Sequence, residues 1–257
     1  MKKFSLLDQA LLRLGLIGAG HMGSAMIKGW LQAGFSNINV LDKSSSPLNM
    51  PVQQFKIDEY NEFIDTSDLI FIAVRPNNWP EIANILTTDK PKISLMAGVS
   101  FKDLMQNSKN WARIMPNLPV AHGQGVIGLI SKLVDDSQLL AAIEPLGTII
   151  RVESEQLLHG LTAVTGSGPA WLWHYANEWQ QAAIKLGFSQ ETARKMVLAT
   201  IQGSISITGD SEFQDLCNAV ASVGGTTAAG LKQLQTTRDL KAAIFAADAR
   251  SKELAQR

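Results

Sequence analysis

The fold is decided by the stretch Gly18-Ala19-Gly20-His21-Met22-Gly23, a complete G-x-G-x-x-G pattern. A short apolar run, Leu14 to Gly18, leads into it, and residues 22–31 follow with apolar side chains at helical spacing. A strand before the pattern and a helix after it are the context in which it predicts a dinucleotide-binding turn. A glycine-rich turn without a ligand is the alternative, and this context disfavours it.

Each glycine of the pattern has a mechanical purpose. Gly18 permits the tight turn, Gly20 lets the backbone approach a pyrophosphate, and Gly23 lets the helix lie against the strand. The helix amino terminus offers N–H groups to the negative charge. The cofactor contacts expected in the turn are Gly18, Gly20, His21, Met22 and Gly23.

The end of the second predicted strand, residues 39–42, gives conflicting signals about the cofactor. Asp42 is placed to accept a hydrogen bond from a ribose hydroxyl, which favours NAD(H). Lys43 and Ser44, followed by two more serines, suit a ribose phosphate and favour NADP(H). Serines are equally ordinary in a loop that binds nothing. We expect NADP(H), with NAD(H) as the alternative.

The distribution of apolar runs predicts two domains. Strands at residues 68–74, 93–97, 111–115, 125–130 and 148–152 alternate with helical segments, and residues 43–56 are expected to be largely irregular. After residue 153 the pattern becomes alanine-rich and helical, over residues 155–164, 170–186, 190–207 and 240–255. The expected fold is α/β, with a Rossmann-type doubly wound dinucleotide-binding domain at residues 1–153 and an all-helical domain at residues 154–257.

Composition narrows the classes of partner. Lys plus Arg and Asp plus Glu number 23 each, so nothing in the net charge favours nucleic acid or an acidic membrane. The single cysteine, Cys217, agrees with a reducing compartment, and the four scattered histidines suggest no metal site. Residues 1–13 have neither the apolar run of a signal peptide nor that of a membrane span. A soluble, cytoplasmic protein acting on a small molecule is expected.

Six segments of the chain together resemble pyrroline-5-carboxylate reductases, and they occur in the order and spacing of that family. They are residues 18–23, 73–76 (AVRP), 94–100 (SLMAGVS), 113–119 (RIMPNLP), 163–170 (AVTGSGPA) and 220–227 (VASVGGTT). The first is shared by many dehydrogenases, and the last two are more specific. The chain departs from the family at Arg75, Leu118 and Val223, where lysine, threonine and proline are usual, and the segment after Asp42 is short.

The resemblance implies reduction of 1-pyrroline-5-carboxylate to proline by hydride transfer from NAD(P)H, the last step of proline biosynthesis. It implies that the helical domain is a dimerisation and substrate domain, in a dimer or a multiple of dimers. It places Ala73, Val74, Arg75 and Pro76 beside the cofactor and Asn117 near the nicotinamide. It places Ser222, Gly224, Gly225, Thr226 and Thr227 around the substrate.

The chemistry of a C=N reduction fits the last segment. A cyclic imine arrives partly protonated, so the enzyme needs to hold the carboxylate and orient the nitrogen more than it needs a strong acid. Gly224 to Thr227 offer backbone N–H groups and hydroxyls at a helix start, which suits a carboxylate. A plain helix cap explains the residues equally well, and the resemblance favours the functional interpretation. Thr227 and Ser222 are the candidate catalytic residues.

A second tight turn is expected at Gly166 to Pro169, before the first long helix of the helical domain. The 3-hydroxyacid dehydrogenase group is one alternative function, but it uses a lysine early in that helix, and here the first lysine is Lys185. A non-catalytic dinucleotide-sensing protein is another alternative. It has no need of a substrate-binding helix start, which argues against it.

Overall fold

The computed structural model describes residues 11–44, 47–106 and 109–255. Contacts between residues divide the chain into two compact units, Met1–Pro169 and Ala170–Arg257. The first ten residues, together with Ser45 and Ser46, on which sequence expectations were stated, lie outside the described residues.

The first unit contains one eight-stranded sheet in the order β3-β2-β1-β4-β5-β6-β7-β8. Neighbouring strands are parallel except β6 and β7, which are antiparallel. The strands are β1 (Leu14–Ile17), β2 (Ile38–Leu41), β3 (Gln53–Phe55), β4 (Leu69–Ile72), β5 (Lys92–Ser94), β6 (Trp111–Pro116), β7 (Gly125–Ser131) and β8 (Gly147–Arg151).

Helices cover both faces of this sheet. They are α1 (His21–Gln32), α2 (Tyr60–Asp65), α3 (Trp79–Ile85), α4 (Phe101–Leu104), α5 (Ser137–Ile143) and α6 (Glu155–Leu161), with short 3-10 turns at Ile57–Glu59, Pro76–Asn78, Leu118–His122 and Glu144–Leu146. Helices α1 and α5 pack on one face, where the Trp30 indole N–H donates to the Ala142 carbonyl at 2.9 Å. Helices α2, α3, α4 and α6 pack on the other face. Every residue of β1, β2 and β4 is buried, as expected of strands covered on both sides. The predicted Rossmann-type domain is confirmed.

Residues 43–56 are largely irregular, as expected, but they contain one short strand that the sequence did not predict, β3, which pairs in parallel with β2 at the edge. Its three residues expose Gln53 and Gln54 and bury only Phe55, which is too little to produce a recognisable pattern. The sheet also contains one antiparallel pair, β6 with β7. Residues 117–124 join β6 to β7 through a 3-10 turn alone, and a parallel crossover needs a longer connection.

The second unit is helical throughout its described residues. Its helices are α7, which begins in the first unit (Gly168–Lys185), α8 (Gln190–Ser206), α9 (Phe213–Val220), α10 (Thr226–Thr237) and α11 (Leu240–Ala255). The sequence did not predict α9, and α10 begins at Thr226, within the segment expected to form a helix start. Within the described part of the chain, no helix is both long and apolar enough to cross a membrane.

The transition between the domains is gradual. The last strand ends at Arg151, yet the division by contacts falls after Pro169, because α6 buries Leu158 in the core of the first unit. The expected boundary between residues 153 and 154 stays a prediction. A π-helix, Thr162–Gly166, follows α6, so the expected tight turn at residues 166–169 is instead a nearly continuous helical path into α7.

Candidate active site

The glycine turn between β1 and α1 has the geometry that its pattern predicts. Gly18 has a φ of +96°, and a Cβ there would lie 3.1 Å from the Ala73 carbonyl oxygen. A Cβ on Gly23 would lie 2.1 Å from the Gly18 carbonyl oxygen. Around Gly20 a Cβ would meet nothing within 4 Å. The outer glycines are therefore required by the turn itself, whereas Gly20 leaves the surface open to a ligand.

Helix α1 directs its amino terminus at this open surface. Gly20 precedes the helix without a side-chain cap, and the Ser24 N–H donates to the Gly20 carbonyl at 2.8 Å. The N–H groups of the first helical turn come before that bond and have no acceptor within the helix. His21 is exposed at the first position, and Met22 is half-buried against the core. The arrangement suits a pyrophosphate.

Asp42 has a structural task that the sequence did not reveal. One carboxylate oxygen accepts the Ala19 N–H at 2.6 Å, and the other accepts the Ser44 N–H at 2.7 Å. The side chain therefore ties the end of β2 to the glycine turn. Beside it, Lys43 forms an ion pair with Glu81 of α3.

A cavity of about 300 Å³ lies at the carboxyl ends of β1, β2 and β4. It is lined by Ile17, Gly18, Gly20, Leu41, Asp42, Lys43, Ala73, Val74, Arg75, Asn78 and Ile82. Most of the predicted cofactor residues thus share one cavity, at the edge where open α/β sheets bind ligands. Ser44 lines a smaller neighbouring cavity, and Pro76 begins the 3-10 turn beside the first. The sequence missed Asn78 and Ile82, which a helical continuation after the AVRP segment could have suggested.

Asn117 follows β6 and is almost completely buried. Its side-chain N–H donates to the Thr165 carbonyl at 3.0 Å, and its side-chain oxygen accepts the Val126 N–H at 2.8 Å. Both ends of the amide therefore bond to the protein backbone.

In the second unit, residues 222–227 form the start of α10. Gly224 has a φ of +71°, and the Gly225 N–H donates to the Ser222 carbonyl at 3.0 Å. A Cβ on Gly225 would lie 2.5 Å from the Ser222 hydroxyl oxygen and 3.2 Å from its carbonyl oxygen, so the Ser222 side chain would have to move to admit one. Thr226 and Thr227 are half-buried in the first helical turn, next to N–H groups that have no intrahelical acceptor. The five predicted substrate residues therefore lie together.

The described residues hold no group of three or more His, Cys, Asp or Glu side chains placed to bind a metal ion. A doubly wound sheet, an open glycine turn and a cavity at the switch point define the class of protein, a dinucleotide-dependent oxidoreductase.

Comparisons with known proteins identify the family. A family model described as pyrroline-5-carboxylate reductase dimerisation matches residues 155–254, and one described as NADP oxidoreductase coenzyme F420-dependent matches residues 13–98. The pyrroline-5-carboxylate reductase of Aquifex aeolicus is 33% identical, with 87% of this chain and 89% of that protein covered. Pyrroline-5-carboxylate reductase 2 of Bacillus subtilis is 30% identical, with 95% of this chain and 94% of that protein covered. The chain belongs to the pyrroline-5-carboxylate reductase family.

A solved structure agrees with this assignment. The Plasmodium falciparum pyrroline carboxylate reductase with NADP bound superposes with a TM-score of 0.81 at 27% identity, over 95% of this chain and 97% of that one. The resemblance carried by the six sequence segments is confirmed, and the expectation of NADP(H) use is supported. The dimerisation domain confirms the expected self-association. Membership of this family argues against both alternative functions, the 3-hydroxyacid dehydrogenase and the non-catalytic sensing protein.

Proposed function

We propose that this protein reduces 1-pyrroline-5-carboxylate to proline with a hydride from NADPH, as the last step of proline biosynthesis. The proposal rests on two binding sites that occur together in one chain of this family. One is the open Gly20 surface at the amino terminus of α1, and the other is the Gly224 to Thr227 helix start. The first suits a dinucleotide and the second a small carboxylate.

The cofactor site consists of the cavity at the carboxyl ends of β1, β2 and β4. Gly20 and the first turn of α1 would hold the pyrophosphate, and Ala73, Val74 and Arg75 line the same cavity, with Pro76 in the 3-10 turn beside it, where they would contact the rest of the cofactor. Both oxygens of Asp42 already accept backbone N–H groups, which weakens its attraction for a ribose hydroxyl. Lys43 and Ser44 then receive the ribose phosphate of NADP(H). NADPH supplies the hydride when it is bound.

The substrate site consists of residues 222–227. Gly224 and Gly225 shape the backbone that receives the carboxylate, and the Thr226 hydroxyl and the N–H groups of the first helical turn, which begins at Thr226, hold it, aided by the positive end of the α10 dipole. Thr227 hydrogen-bonds the ring nitrogen, and Ser222 is the second candidate for that contact. The hydride adds to the imine carbon while the nitrogen keeps the proton with which it arrived. Positioning, rather than a strong acid, provides most of the acceleration.

The test of these roles is the Thr227→Val variant, which keeps the shape of the side chain and removes its hydroxyl. We expect kcat/KM for the imine to fall by about 10- to 100-fold, the effect of one to two hydrogen bonds. Affinity for NADPH should not change. A wild-type rate across the pH range would contradict the role of Thr227 and direct attention to Ser222 or to bound water.

Thr226→Ala is the matched comparison. A carboxylate contact is made equally in the ground state and the transition state, so this variant should raise the substrate KM more than it lowers kcat. The opposite split between the two variants would exchange their assigned roles.

We also propose that the enzyme acts in the cytoplasm and binds no nucleic acid. The balanced charge, with 23 basic and 23 acidic residues, and the single cysteine support this. Cell fractionation and a nucleic-acid gel-shift assay test the two statements.

A further inference from the structure

The helical path from α6 to α7 contains an unusual segment, the π-helix Thr162–Gly166. Helices of this kind are rare, and they occur frequently at functional sites. The hydroxyl of Thr165 donates to the Leu161 carbonyl at 3.0 Å, and that of Thr162 donates to the Leu158 carbonyl at 2.7 Å. Both hydroxyls thus bond back to the carbonyl of the residue four positions earlier.

The Thr165 carbonyl lacks its usual α-helical donor. In an α-helix it would accept the N–H of the residue four positions later, and here that residue is Pro169, which has no N–H. The structure supplies a donor from elsewhere, the side-chain amide of Asn117 at 3.0 Å. Asn117 is only 7% exposed and Thr165 is half-buried, so the contact is partly withdrawn from water. A carbonyl that is withdrawn from water and has no donor costs free energy.

The oxygen of the Asn117 side-chain amide is also hydrogen-bonded. The Asn117 side-chain oxygen accepts the Val126 N–H at 2.8 Å, and its backbone N–H donates to the Val126 carbonyl at 3.2 Å. The residue is therefore held rigidly by β7 while it holds the π-helix. No shorter polar side chain could span from Val126 to Thr165 in this way, and aspartate would lack the donor.

The position of Asn117 links this contact to the reaction. Strands β1, β4, β5 and β6 are parallel neighbours, so the residue that follows β6 lies at the same edge of the sheet as Gly18 and Ala73. Ligands bind open α/β sheets at this edge. The π-helix is thus attached to the edge that holds the dinucleotide.

We propose that Asn117 is a positioning residue for the reduction, which it serves by fixing the backbone of residues 165–168 at the cofactor edge of the sheet through the Thr165 carbonyl. The proposal rests on the proposed function, because the geometry fixed is that of hydride transfer. It differs from a direct contact with the nicotinamide, since the amide bonds at both ends to the backbone. A misplacement of about 1 Å is enough to slow a reaction that depends on positioning by about 100-fold.

The test uses Asn117→Asp, which keeps the size and the acceptor for Val126 but replaces the donor facing Thr165 with an oxygen. Asn117→Ser is the second variant, because its hydroxyl is too short to reach Thr165 and it introduces no charge. The matched control is Asn39→Asp. Asn39 is also buried and donates to a backbone carbonyl, that of Thr66 at 2.8 Å, but it lies within β2 and away from the cofactor edge.

The measurements are the melting temperature, the NADPH dissociation constant and kcat at saturating NADPH and 1-pyrroline-5-carboxylate. We expect kcat to fall by about 10- to 100-fold in both Asn117 variants while the NADPH dissociation constant changes by less than about threefold. Asn39→Asp should lower the melting temperature and leave kcat of the folded enzyme unchanged. Amide hydrogen exchange should become faster in residues 162–168 only in the Asn117 variants.

Two results would overturn the inference. Unchanged kcat in a destabilised Asn117 variant would show a merely structural role. A loss of NADPH affinity as large as the loss of kcat/KM would show a direct cofactor contact. The proposed function is tested separately with the wild-type protein. If that protein does not oxidise NADPH in the presence of 1-pyrroline-5-carboxylate, the proposed function itself is wrong.

Discussion

The two units differ sharply in where they place their large apolar side chains. In the nucleotide-binding unit, Trp30, Phe63 and Phe71 are completely buried. In the helical unit, the residues that the structure describes as buried are the small or medium Ala182, Ala183, Ala193, Val197 and Gly230. Its exposed apolar residues include Trp171, Leu172, Trp173, Tyr175, Met196, Leu198, Ile205, Ile207, Phe213 and Val220. The nucleotide-binding unit buries its large apolar side chains in its own core, whereas the helical unit leaves many of its large apolar side chains exposed.

The dimerisation domain explains this difference. Many exposed apolar side chains in one unit are characteristic of a protein–protein interface, and residues 155–254 match the dimerisation model of the family. Helices that fail to bury their own apolar faces gain stability when a second copy covers them. We therefore propose that the helical unit folds only as a dimer, and we expect folded monomer to be absent on dilution.

The largest expected effect comes from placing a charge on that surface. Ile205 on α8 is 67% exposed, and Ile205→Glu should raise the dimer dissociation constant by at least about 1,000-fold, because a symmetric interface carries the buried charge twice. Activity should be lost with the dimer. Light scattering over a dilution series measures the association.

Val134→Glu is the matched control for this experiment. Val134 is 98% exposed and belongs to the nucleotide-binding unit, so the same chemical change should leave association and activity intact. A stable, fully active monomer of the wild-type protein would show that dimerisation does not explain the exposed apolar side chains of the helical unit.

A somewhat smaller effect is expected in the nucleotide-binding unit from Gly20→Val. The φ of −65° at Gly20 is available to any residue and a Cβ there meets nothing, so the variant should fold normally. The added side chain should obstruct the pyrophosphate and weaken NADPH binding by about 100-fold. Gly23→Ala is the comparison, since its Cβ would collide with the Gly18 carbonyl and should lower stability as well. Calorimetric titration showing wild-type affinity in folded Gly20→Val would contradict the assignment of the turn.

The smallest effect concerns the self-contained core of the first unit. Burial lowers the pKa of Lys92 to about 8 from its ordinary 10.5, and Asp89 opposes this shift. Between these two values the unfolded chain carries a proton that the folded protein lacks, so the free energy of unfolding should rise with pH across this window, by about 1 to 2 kcal/mol once solvent screening is allowed for. Urea unfolding of Lys92→Met should lack this rise, and the exposed control Lys132→Met should keep it. An equal rise in all three proteins would assign it to other groups.

The sequence predicted those parts of the fold that short-range pattern controls. The glycine turn, the buried strands β1 and β4, and the long helices α7 and α8 each carry a periodic apolar signal or a motif. Strand β3 was missed because its three residues bury only Phe55 and leave no recognisable pattern. The antiparallel direction of β7 follows from its short connection to β6, residues 117–124, which was not used. The dinucleotide site was predictable from its motif, and the substrate site required the family resemblance.

What the sequence could not provide were contacts made across the fold. The Asp42 carboxylate bonding to the Ala19 N–H joins residues 23 positions apart, and the Asn117 amide bonding to Thr165 joins residues 48 apart. In each pair one partner is a backbone group, so no residue type marks where the side chain will bond. The π-helix is likewise invisible in a pattern that reads as a glycine turn before Pro169.

The central claim is that this chain is an NADPH-dependent imine reductase, and the most direct measurement follows NADPH and proline together. The purified protein is given NADPH and 1-pyrroline-5-carboxylate, the loss of NADPH is followed by absorbance, and proline is quantified at intervals. The account predicts one proline formed for each NADPH oxidised, a slower reaction with NADH, and no oxidation without the imine. NADPH binding without proline formation at any enzyme concentration would contradict it.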